Sequence, residues 1–208
     1  MKPIVAPPQR LLAPEVMFND RSSLLSYLAT RRSCRPRDLV EPGPDPAQLR
    51  RILEIAARTP DHGKLFPWRF VHVAKDRRAA FAEMLQAAYR SGKAETPARL
   101  EIEAVQRFAT QAPELVVLLS SPIPGHKIPV FEQELSSGAV AMNLLHAASA
   151  LGFGGGWVTG WAAYSPAVLE ALGGRPPERI AGFFFLGTGS VELEERPRPA
   201  LENVAREW

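Results

Sequence analysis

A single cysteine, Cys34, among 208 residues leaves no disulfide to close within one chain and fits a reducing, cytoplasmic setting. Long apolar runs are scarce as well. The longest mostly apolar stretch, residues 139–151, is too short and too interrupted to span a bilayer, so no membrane partner is expected. The start, MKPIVAPPQRLLAPE, is broken by prolines and has no continuous apolar core, so no signal peptide is expected. Charge of one sign is also in short supply. The formal net charge is +3, the basic residues are scattered, and none form a patch interleaved with aromatics. Nucleic acid is thereby set aside as the main partner, while small anionic ligands stay open.

Several reaction chemistries are missing from the chain. There is no H-E-x-x-H and no paired C-x-x-C, and the four histidines stand well apart, so no metal site is expected. No Walker-type phosphate loop or G-x-S-x-G is present. The glycines Gly152, Gly154, Gly155 and Gly156 follow a predicted helix rather than joining a strand to one, a poor fit to a dinucleotide fingerprint. With no evident nucleophile or acid–base pair, an enzymatic role favours a reaction carried by a bound cofactor.

Proline is abundant at the start, and residues 1–20 read as an irregular arm before a single domain over 21–208. Ser22 or Ser23 caps a short helix that ends at Arg31, Arg32, Ser33, Cys34 and Arg35. Cations there suit a helix C-terminus, but guanidinium groups beside a hydroxyl also make an anion site. Asp45-Pro46-Ala47-Gln48 is a capping-box start for a helix running to about Arg58. A Pro-Asp-His-Gly turn then carries His62, where a solvated and a functional histidine are both open. Residues 68–73, 115–121 and 180–187 read as strands, the last two as buried ones. Helices are predicted over 77–92, over 96–112 from a Thr96-Pro97 start, and over 165–172 capped by Ser165.

The organising stretch is FEQELSSGAVAMNLLHAASALGFGGGWVTG, residues 131–160. Its helix is apolar nearly all round from Ala139 to Leu151 and so calls for burial, with Ala139, Met142, His146 and Ser149 on one face. The glycines that follow are either a flexible turn or a bare backbone able to approach a flat ring.

Taken in order, RRSCR, RTPDHGKLFPWRF, HKIPVFEQELSSGAVAMNLLHAA, LGFGGGWVTG, FLGTG and ERPRP resemble the FMN-dependent nitroreductase family, especially its short bacterial subgroup with a PDH run before a PW pair. The resemblance covers about residues 24–199. It implies an α+β fold, a central mostly antiparallel sheet flanked by helices, in an intertwined homodimer with FMN at the interface. By position, Arg31, Ser33 and Arg35 would hold the FMN phosphate with Arg32 close by, and Arg196 and Arg198 would complete the grip. Trp157, Val158, Thr159 and Gly160 match the segment along the isoalloxazine, and Arg58 and His62 match positions that reach the flavin from the other subunit. The implied activity is NADH- or NADPH-dependent reduction of a small-molecule acceptor such as a nitroaromatic or quinone. A flavin-dependent dehydrogenase or flavin-modifying enzyme, or a non-catalytic flavin-binding protein, are the alternatives. Two departures bear on the ring: Phe66 stands where many relatives have glutamine, and Val158 where the subgroup often has arginine.

Overall fold

The computed structural model describes residues 17–208, so residues 1–16 of the expected arm lie outside it. The described residues form two compact units: Ser33–Val191, and Glu192–Trp208 together with residues 17–32.

In the larger unit, β5 (Arg179–Gly189) is the hub of a five-stranded sheet. It pairs antiparallel with β3 (Glu114–Ser120), with β4 (Gly154–Val158) and with the two-residue β1 (Leu39–Val40), and β3 pairs antiparallel with β2 (Trp68–His72). The sheet is thus antiparallel at every pairing. Apolar residues run without alternation along β3 and β5 because both faces of these strands are covered. Phe183 and Phe185 meet Phe108 edge-on at 5.1 and 5.3 Å, while Phe184 stacks on Trp157 at 5.4 Å. All three phenylalanines are fully buried, each stabilising by about 1.5–3 kcal/mol.

The helices follow their caps. α2 (Pro46–Ala56) begins with both bonds of the Asp45/Gln48 capping box and lays Leu49, Ile52 and Ala56 against the core. It stops at Ala56, two residues short of the expected end. α3 (Arg78–Ser91) and α4 (Arg99–Thr110) pack together. The start of α4 differs from expectation: the Glu101 carboxylate accepts the Ala98 N–H at 2.9 Å, so the helix begins after Ala98 rather than at Thr96. Ser165 caps α6 (Pro166–Ala171) as expected. Arg78 is buried, and its guanidinium donates to the carbonyls of Val73, Ala109 and Pro113, tying α3 to the strand ends. Burial brings its pKa down to about 10, and it stays charged at neutral pH.

α5 spans Val130–Ala150, beginning well before the apolar run. Its polar first half is helical because its side chains serve the loops around it. Gln133 is buried; its amide donates to the carbonyls of Ile123 and Ile128 and its oxygen accepts the Ile123 N–H. Val140, Ala141, Leu144, Leu145, Ala147 and Ala148 carry the apolar half into the core. Glycine 152 ends the helix region at φ 97°, where a residue with a Cβ would be strained.

In the smaller unit, Ser23 caps α1 (Leu24–Thr30). Asn19 holds both ends of the turn that follows: its N–H donates to the Thr30 carbonyl, and its side-chain oxygen accepts the Arg32 N–H at 2.9 Å.

Candidate functional site

The glycine segment is a strand, not a turn. Gly154, Gly155 and Gly156 pair with Gly187, Leu186 and Phe185, and none of the three has a positive φ. Their missing Cβ atoms leave room for protein. A Cβ on Gly154 would lie 2.8 Å from the Cys34 sulfur, one on Gly155 2.8 Å from Leu145 Cδ2, and one on Gly156 2.6 Å from the Cys34 carbonyl oxygen. This close approach lets the Cys34 N–H donate to the Gly155 carbonyl at 2.9 Å, which lays Ser33, Cys34 and Arg35 along β4. The expected bare cradle for a ring is therefore corrected at these three positions.

Trp157 is also committed to the sheet. Its indole N–H donates to the Ala181 carbonyl at 3.0 Å, and the ring lies where a Cβ on Gly182 would stand. The ladder ends at Val158, which pairs with Phe183. Thr159 and Gly160 follow, both exposed, with Gly160 at φ 96° and open space around it. What the 157–160 segment can offer a ligand is its backbone beyond the ladder and the half-buried Val158.

The smaller unit gathers the arginines. Arg198 donates to the Arg31 carbonyl at 3.3 Å, and Arg32 Nε donates to the Glu194 carbonyl at 2.7 Å. One carboxylate oxygen, Glu195 Oε1, sits 3.9 Å from Arg32 Nε and 3.5 Å from Arg198 Nη2, and accepts the Arg196 N–H at 2.8 Å. Partial burial of Arg32, and after it the positive charge of Arg198, lower the Arg32 pKa, with Arg196 and Arg31 adding to the repulsion and Glu195 opposing it. Two guanidinium groups, those of Arg32 and Arg198, and the Arg196 N–H thus face one anionic oxygen that the chain itself supplies, with Arg31 tied in through its carbonyl. Positions 162 and 167 residues apart in sequence converge here, which no local pattern could disclose.

Arg58 and His62 belong to the loop that follows α2, and this loop is fastened to α5. Asn143 donates to Thr59 Oγ1 at 2.7 Å, Ser136 to the Pro60 carbonyl at 2.9 Å, Ser137 to the Pro67 carbonyl at 2.7 Å, and His62 Nδ1 meets Glu132 Oε2 at 2.7 Å. Farther along the loop, Asp61 accepts the Phe66 N–H at 2.7 Å, holding at φ 50° a phenylalanine that is 65% exposed. A phenylalanine kept in the left-handed region and turned to solvent is a costly arrangement, of the kind found at binding sites.

The comparisons with known proteins decide the family. The model of the nitroreductase family matches residues 28–188. The chain belongs to the nitroreductase family. It is 35% identical over 168 residues to a protein of Escherichia coli K12 named "Putative NAD(P)H nitroreductase YdjA", covering 81% of this chain and 89% of that protein. Among solved structures it resembles a nitroreductase-like protein of Bacillus cereus, with a TM-score of 0.75 at 20% identity over 90% of this chain and 96% of the other. It also resembles the FMN and NADPH-dependent nitroreductase NfnB of Sphigopyxis sp. strain HMH, with a TM-score of 0.68 at 22% identity over 87% and 96%. These two likenesses establish the nitroreductase-like fold. Among the described residues, no helix is long and apolar enough to cross a membrane.

Residues that contact the candidate site residues or their loop but that sequence reasoning passed over are Glu195, Glu132 and Asn143. Glu195 lies within the ERPRP motif, where only the arginines were singled out. Glu132 is 70 positions from His62, so its role depends wholly on the way α5 passes the loop.

Proposed function

We infer that this chain is an FMN-dependent oxidoreductase that uses NADH or NADPH to reduce a small-molecule acceptor such as a nitroaromatic or a quinone. The observation that supports it most directly is the meeting of the Arg32 and Arg198 guanidinium groups and the Arg196 N–H at Glu195 Oε1, with Arg31 held alongside through its carbonyl, in a member of the nitroreductase family. The carboxylate is an internal stand-in: a site whose donors converge on one anionic oxygen has the chemistry to hold a phosphate, through charge-assisted hydrogen bonds. NAD(P)H in the name of the Escherichia coli relative, and FMN in that of NfnB, agree with this reading.

FMN, when bound, supplies the two-electron chemistry. The chain's own residues bind and orient. Arg31, Arg32, Ser33 and Arg35 with the late pair Arg196 and Arg198 hold the phosphate. The Thr159 and Gly160 backbone, beyond the end of the β4 ladder, meets the edge of the ring. Arg58 and His62 reach the flavin from a second copy. Val158 leaves its side of the ring apolar, and Phe66 offers an aromatic surface where a glutamine would offer an amide.

The partner is a second copy of this chain. On α5 the face bearing Phe131, Leu135, Ala139 and Met142 is exposed or half-buried while the opposite face fills the core. An apolar stripe of that length along one helix suits a homodimer interface. The function is tested by the absorption spectrum of the purified protein, then anaerobic mixing with NADH and with NADPH, and turnover with a nitro or quinone acceptor. A flavin spectrum, bleaching by a nicotinamide and acceptor-dependent oxidation are expected. A protein that binds flavin but never turns over is a carrier instead.

A further inference from the structure

The pair His62–Glu132 has a consequence for which ring nitrogen faces a ligand. Nδ1 stands 2.7 Å from Glu132 Oε2. An ionised carboxylate can only accept, so a bond of this length requires the proton to be on Nδ1. In the neutral ring the remaining nitrogen, Nε2, is then the unprotonated one. Without such a partner a neutral histidine is free to take either tautomer.

The rest of the loop is built to keep the pair in register. Ser136 lies one turn beyond Glu132 on α5 and holds the Pro60 carbonyl; Asn143 holds Thr59 farther on, and Ser137 holds Pro67 on the far side of His62. Thr59 is itself buried and donates to the Ala56 carbonyl at the end of α2. Backbone on both sides of His62 is therefore anchored to the same helix that carries Glu132. Side-chain exposures of 67% for His62 and 43% for Glu132 leave the ring's other edge accessible. An exposed side-chain pair held by nothing else contributes little and wanders among rotamers; this one has a fixed floor.

We propose that Glu132 is a positioning residue for His62, keeping the proton on Nδ1 so that Nε2 is the nitrogen presented to the flavin. This rests on the reading that His62 reaches FMN. Neutral Nε2 is an acceptor suited to a ring N–H, and on protonation the same atom becomes a donor suited to a ring carbonyl or an anionic nitrogen. Exchange of the proton at the ligand is confined to one atom.

The test uses the full-length protein with ¹⁵N-labelled histidine, with and without FMN, at a pH where the ring is neutral. In the wild type, His62 Nδ1 is expected to give the signal of a protonated nitrogen and Nε2 that of an unprotonated one. In Glu132→Leu the Nδ1-protonated form should be lost as the major species, with the Nε2-protonated form replacing it. Addition of FMN should shift the Nε2 signal in the wild type more than in the variant. Glu132 also lies in the first turn of α5, where its charge suits the helix dipole. A merely helix-stabilising role would lower the melting temperature and leave the His62 tautomer unchanged. A wild-type His62 in the Nε2-protonated form, or a tautomer indifferent to Glu132→Leu, overturns the proposal. So does FMN that binds, by quenching of its fluorescence, without moving the His62 signals. A protein that does not quench FMN at all fails the reading of function instead, and the tautomer measured without FMN still decides what Glu132 does to His62.

Discussion

The Cys34 N–H donates to the Gly155 carbonyl at 2.9 Å, and this bond holds the Ser33–Arg35 segment against β4. The contact is possible because the neighbouring positions carry no side chain: a Cβ on Gly156 would stand 2.6 Å from the Cys34 carbonyl oxygen. The glycines and the Ser33–Arg35 segment are thus two sides of one junction.

Gly156→Ala is accordingly expected to destabilise the protein before any question of cofactor arises. Forcing a methyl against backbone costs about 1–3 kcal/mol, or roughly 2–4 °C of melting temperature for each kcal/mol in a chain of this size. Thermal melts of the flavin-free protein check this. An alanine variant that melts like the wild type yet no longer retains FMN would return the segment to the role of a cradle for the ring.

Arg31→Ala should weaken FMN while leaving riboflavin little changed, since only FMN carries the phosphate. Loss of a charge-assisted bond corresponds to about 1.5–3 kcal/mol. Titrations of the flavin-free protein with both ligands, followed by fluorescence quenching, measure it. Equal losses would place Arg31 at the ring.

Glu195→Gln is expected to tighten FMN, because the phosphate no longer displaces a carboxylate from between Arg32 and Arg198. Riboflavin affinity should not move. Calorimetric titration with each ligand reads the difference, and weaker FMN binding would show that Glu195 arranges the arginines rather than standing in for the ligand.

Acid stability should depend on Glu178. Arg69 donates to both its oxygens at 2.7 and 2.9 Å, Ser121 donates at 2.6 Å and the Arg175 N–H at 3.1 Å. These bonds, the Arg69 guanidinium first, outweigh burial and bring its pKa down to about 2 from an ordinary 4.5. A depressed carboxylate pKa gives stability that is present above about pH 4.5 and is lost as the pH falls towards 2. Wild type should therefore exceed Glu178→Gln at neutral pH, with the gap closing between those values. Denaturant melts across that range check the sign.

The sequence alone determined the features that depend on neighbours along the chain. Asp45, Pro46 and Gln48 specify a helix start by satisfying its first N–H groups locally, and Ser165 does the same for α6. The unbroken apolar runs of β3 and β5 announced strands covered on both faces, and the order of six motifs announced the family that the comparisons establish. Only the tertiary structure could decide the rest. Three glycines have weak strand preference of their own, and β4 exists because β5 supplies its hydrogen bonds and the Cys34 loop and Leu145 fill the space their side chains would need. α5 extends through a polar stretch in which Gln133 serves the loop just before the helix and Ser136 and Ser137 hold a loop 76 and 70 residues earlier in the chain. Glu195 meets Arg32, and Glu132 meets His62, across separations that leave no periodic trace. Capping and alternation are written in adjacent residues; charge convergence is written only in the path of the folded chain.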